Sequence, residues 1–117
     1  MLFRSDYGIY AQRYKADGTT DGSEFRVNTY TTEGQKRPFI ASLDSGKFVI
    51  VWQSSGQDGD SIGIYAQRYN ADGTSDGSEF RVNTYTSSSQ QKPSVAHTGN
   101  GLFVIVWQSN KIGRAHV

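Results

Sequence analysis

The chain is written almost twice. Gly8 to Tyr14 (GIYAQRY) returns at Gly63 to Tyr69, Glu24 to Thr31 (EFRVNTYT) at Glu79 to Thr86, and Phe48 to Ser54 (FVIVWQS) at Phe103 to Ser109. Every offset is 55 residues, and Pro38/Pro93 and Gly46/Gly101 keep it too, so the copies align without a gap. A period just beyond the roughly 20–50 residues of most arrays marks a supersecondary unit that buries its faces only by stacking on copies of itself. One such unit is too short to hold a large core alone, so the repeat constrains the fold more than any single motif.

Within a unit the pattern is that of strands. GIYAQRY, SEFRVNT and the Pro-led PFIASL or PSVAHT are short runs of period-two character bounded by Gly, Asp and Ser clusters, and helix signals are absent. KADGTTDGS and NADGTSDGS separate GIYAQRY from EFRVN, and their Asp-Gly steps suit a tight antiparallel turn. Asp44-Ser45-Gly46 and Gly99-Asn100-Gly101 do the same between the Pro-led strand and FVIVWQS. The result is an all-β chain of antiparallel four-stranded repeat units. Phe48 to Trp52 are apolar at every position, so this strand must be covered on both faces, unlike a half-wet strand, which alternates. Stacked β-propeller-like blades meet that demand, with a two-sheet β-sandwich as the alternative.

Both ends are expected to be foreign to the repeat. Leu2 to Ser5 (LFRS) and Lys111 to Val117 (KIGRAHV) match translations of a short-read sequencing adapter. The expected division is therefore 1–5 scar, 6–37 partial repeat (the last two strands of a blade), 38–85 complete four-stranded repeat, 86–110 connector and partial repeat (the first two strands), and 111–117 scar. Of the whole chain's 12 basic and 11 acidic residues, Arg4, Lys111 and Arg114 fall in these ends, so the formal charge of +1 turns slightly negative without them. No nucleic-acid partner and no membrane insertion are expected on these grounds. With no Cys, neither a disulfide framework nor a thiolate metal site is available.

The string GIYAQRYNADGTSDGSEFRVNTYT, followed by a Pro-led strand and FVIVWQSSGQDGDS, resembles a tandem repeat of very large bacterial secreted or surface proteins. The resemblance covers residues 6–110 and implies an extracellular or cell-surface, adhesin-like or matrix-like role, often beside hemolysin-type calcium-binding and cadherin-like regions. It carries no catalytic activity. The hemolysin-type signature G-G-x-G-x-D-x-U-x is missing from the chain.

Candidate chemistry is thin. Asp58 and Asp60, in Gln57-Asp58-Gly59-Asp60, offer two carboxylates to a hard cation such as calcium, and Asp17/Asp21 with Asp72/Asp76 form a second candidate at i, i+4 in both copies; turn chemistry competes with each. Tyr10, Tyr14, Tyr65 and Tyr69 share one strand face, suited to packing between blades or to stacking on a glycan or other cell-surface ligand. Arg13 and Arg68, on the face opposite the tyrosines, and Arg26 and Arg81, on the outer strand, are expected to pair with Glu24 or Glu79 or to remain solvated, Trp52 and Trp107 to be core, and Gln53 and Gln108 to bond backbone at the blade edge. His97 faces Ser42 in the other copy and so belongs to no repeated function. Sialidase-like propellers hydrolyse glycosides with Tyr, Glu and Arg, but here those residues recur in each copy, as scaffold does, whereas an active site is built once. The expected function is a non-catalytic structural or binding module whose first partners are neighbouring repeats. The alternatives are a calcium-stabilised extracellular module and a blade pair of a secreted glycan-acting enzyme.

Overall fold

A computed structural model describes residues 8–29, 34–55, 62–84 and 89–109. The chain is all-β and antiparallel, as expected. Among the described residues, eight strands run β1 (Tyr10–Ala11), β2 (Phe25–Arg26), β3 (Gln35–Ser42), β4 (Phe48–Ser55), β5 (Ile62–Tyr69), β6 (Phe80–Arg81), β7 (Gln90–Gly99) and β8 (Leu102–Ser109). They form three sheets: the hairpin β1-β2, the meander β3-β4-β5-β6, and the hairpin β7-β8.

Local sequence explains the turns. Gly18 and Gly73 take φ of 91° and 90°. Each closes a three-residue loop in which its N–H donates to the carbonyl of Lys15 or Asn70 at 2.9 Å, so only the glycine leaves the right-handed region. Ser45-Gly46 and Asn100-Gly101 have positive φ at both central positions, the conformation that follows strand twist into a two-residue turn. Arg37-Pro38 and Lys92-Pro93 drop out of their ladders as bulges, with φ 55° at both basic residues. Each proline, which has no N–H to give, thus sits where the ladder requires none.

Register repeats with the sequence. Ala11 opposes Phe25 as Ala66 opposes Phe80, and Ile40 opposes Ile50 as Val95 opposes Ile105. The EFRVN strands are shorter than expected, two residues each. A side chain continues the ladder instead: the Val27 N–H donates to the Ile9 carbonyl at 2.7 Å and the Ile9 N–H donates to Asn28 Oδ1 at 2.9 Å. Val82, Ile64 and Asn83 repeat this at 2.7 Å for both bonds.

The central sheet is the middle of three layers. One face carries Ile50, Trp52, Tyr65 and Tyr69 against Ile9 and Val27 of the first hairpin. The other carries Val49, Val51 and Ala66 against Val95, Phe103 and Ile105 of the last. This explains the unbroken apolar run of β4: alternate residues serve two cores, and Val49, Val51 and Trp52 are all sealed from solvent. Equivalent residues of the outer hairpins fare differently. Val104 and Val106 are 52% and 59% exposed, and Tyr10 and Tyr14 are 57% and 63% exposed, because each points away from the central sheet. Trp107, expected in the core, is 36% exposed for want of the strand that β5 lays beside Trp52.

Candidate functional site

The features that recur are clefts and clasps between layers. A cleft of about 520 Å³ runs between the first hairpin and the β5-β6 turn, lined among others by Arg13, Arg26, Gln67, Asp72 and Thr74. A second, of about 360 Å³, lies where that hairpin meets β3 and β4, lined among others by Arg13, Phe25, Ile40, Lys47 and Phe48.

The clasps are hydrogen bonds joining residues of different layers. Glu79 Oε1 accepts from both the N–H and the hydroxyl of Thr29 at 3.0 Å, tying the first hairpin to the central sheet. Gln53 Oε1 accepts the Lys92 N–H at 3.0 Å, tying the central sheet to the last hairpin and meeting the expected bond to backbone; Gln108, its counterpart, is exposed. Arg13 lies over the Gly73 turn so closely that a Cβ there would stand 3.0 Å from its Cδ. Tyr69 packs between Phe48 and Phe25, with ring centroids 5.0 and 5.5 Å away. Burial, with the Glu79 charge adding to it, pushes its hydroxyl up to about 12.

Among the described residues, the carboxylates do not assemble into a cation site. Asp58 and Asp60 lie outside the described residues. The i, i+4 pairs are divided by local chemistry: Asp17 Oδ1 accepts the Thr19 hydroxyl at 2.7 Å and its N–H at 3.0 Å, and Asp72 takes Thr74 likewise at 2.6 and 2.9 Å. These bonds, the hydroxyl's first, hold both carboxyls below the usual range. Asp21 is instead paired with Arg13 at 2.7 Å, and Asp76 stands 3.7 Å from Lys47 and 3.8 Å from Arg68. Turn formation thus engages one member of each pair and ion pairing the other. Among the described residues, no three His, Asp or Glu side chains gather as a metal site.

Arg26 and Arg81 are exposed, as the solvation alternative expected, while each Nε donates to the carbonyl two residues on, Asn28 at 3.1 Å and Asn83 at 2.9 Å. The arginine thereby props the carbonyl of the same asparagine whose side chain extends the ladder. His97 Nε2 lies 3.5 Å from Asp44 Oδ1, beside the turn of the central sheet. The residues sequence reasoning missed are the buried amides. The Trp52 and Trp107 indoles donate to Gln35 Oε1 and Gln90 Oε1 at 3.0 and 2.9 Å, and Asn28 and Asn83 are buried within the range of the apolar core side chains. Their signal was present as polar residues kept at the same offset in both copies. Comparison with family models, curated proteins and solved structures gives no match for this chain.

Proposed function

We propose that the chain is a stretch of a non-catalytic repeat array, a module of an extracellular, adhesin-like bacterial protein in which each four-stranded unit is a blade-like layer and the first partner of every layer is the next. One observation carries this reading: identical residues are sealed where a neighbouring layer covers them and bare where none does. Val49 and Val51 are fully buried, while Val104 and Val106 are more than half exposed; Tyr65 and Tyr69 are buried, while Tyr10 and Tyr14 are more than half exposed. Fully burying a valine is worth about 1.5–3 kcal/mol, and Val104 and Val106 are each a little over half exposed, so an added layer gains about 2–3 kcal/mol from these two valines. Surfaces that costly to leave wet are suited to stacking, and β-propeller-like succession of blades is the form this reading takes.

The test is to extend the chain in register by one further copy after Ser109. The urea midpoint and m-value should both rise, and the Val104 and Val106 amides should gain protection from hydrogen exchange. An unchanged midpoint would refute stacking as the business of these faces.

A further inference from the structure

The two outer hairpins are the complementary halves of the central sheet. β7-β8 repeats β3-β4 in register, and β1-β2 repeats β5-β6. In the central sheet these halves are joined by the β4-β5 ladder, from Phe48 opposite Tyr69 to Ser55 opposite Ile62. The matching edges lack that ladder: among the described residues β8 has β7 as its only partner strand, and β1 has only β2. They cannot supply each other within one chain, because the hairpins pack on opposite faces of the central sheet.

We propose that β8 of one chain pairs antiparallel with β1 of a second copy, completing a four-stranded sheet β7-β8-β1-β2 across two molecules. The β4-β5 register, carried over by the repeat offset, places Phe103 opposite Tyr14 of the second copy, Val106 opposite Ala11 and Trp107 opposite Tyr10. The junction is continuous with an interface the chain already makes. Trp107 and Tyr10 would share one face, as Trp52 and Tyr65 do, and Val106 and Ala11 the other, as Val51 and Ala66 do. Among the described residues no further strand is bonded along either edge, and an edge of that kind is the template that strand addition uses. The contact is heterologous, with unlike patches on the two copies, so one free edge of each kind survives every addition and the assembly grows in line or closes as a ring. The inference rests on the layer equivalence argued above, but a strictly monomeric chain whose stability still rises with an added copy would overturn pairing between copies alone.

The experiment exploits the absence of cysteine. Val106→Cys and Ala11→Cys are made as separate full-length chains, purified, mixed and oxidised, since directly opposed cross-strand positions are close enough for a disulfide. The mixture should give roughly tenfold more linked dimer than either variant alone, the mark of a heterologous junction. The unmodified chain, read in parallel by sedimentation, should exceed its 12.9 kDa monomer mass increasingly with concentration. A constant monomer mass overturns the proposal whatever the variants do. Linking of Val106→Cys chains to each other as efficiently as the mixture also overturns it, since that reports β8 against β8.

Discussion

The Trp52 indole N–H donates to Gln35 Oε1 at 3.0 Å, with both side chains sealed from solvent. Trp107 and Gln90 repeat the bond at 2.9 Å, yet Trp107 keeps over a third of its surface in water. The pair therefore separates what the bond is worth from what the covering layer is worth.

Trp52→Ala should cost about 3–5 kcal/mol, a large share of a small domain's stability, and Trp107→Ala less than half as much. Trp52→Phe, which keeps most of the volume but drops the N–H, should cost about 1–3 kcal/mol. Urea denaturation gives all three, and equal penalties at the two tryptophans would contradict the layer assignment.

Asn83 and Asn28 stand in for strand carbonyls. Asn83→Ala leaves the buried Ile64 N–H without its acceptor, at a cost of about 1–3 kcal/mol. Amide exchange at Ile64 should accelerate first. Asn83→Asp keeps an oxygen in place but buries a carboxylate, so at neutral pH it should be no milder than the alanine variant.

Tyr69 sets an alkaline limit. Its folded value, pushed to about 12 from 10, means the neutral hydroxyl is favoured in the fold, so its contribution is intact below pH 10 and drains away as pH rises from 10 towards 12. The unfolding temperature should fall through that window. Tyr69→Phe should flatten the fall; an equally steep profile in the variant would place the sensitivity elsewhere.

Gly18 and Gly73 share a positive φ but not their surroundings, since nothing lies near Gly18 while Arg13 crowds Gly73. Alanine at either should cost about 1–2 kcal/mol for the backbone alone. Gly73→Ala should cost measurably more, and Arg13→Ala should remove the excess in a double-mutant cycle.

The strands, their turns and the antiparallel order were legible because period-two runs, Asp-Gly steps and an exact repeat all point one way. The double coverage of β4 was legible too, since Phe48 to Trp52 leave no face for water. What the sequence could not separate was Trp52 from Trp107, or Tyr65 from Tyr10: residues identical in type and strand differ only in whether another layer lies over them. Arg26 was expected at a carboxylate or in water, and it is exposed with its Nε on the Asn28 carbonyl two residues on, a local backbone partner that no charge pattern announces. Asp17 and Asp21 looked like a ligand pair by spacing, but a threonine two residues on and Arg13, two residues past β1, claimed them separately. Buried Gln35 and Asn28 escaped notice because polarity is ordinarily a sign of the surface, and only a bond to an indole or an amide overrides it.

The outer faces of the stack are tyrosine at one end and valine at the other. A succession of such layers therefore has a direction, as an arrow does. Two arrays brought together tip to tip or tail to tail find no match, and the structures that terminate an array must differ from one another, one shaped to tyrosine and the other to valine. Only a closed circuit dispenses with both.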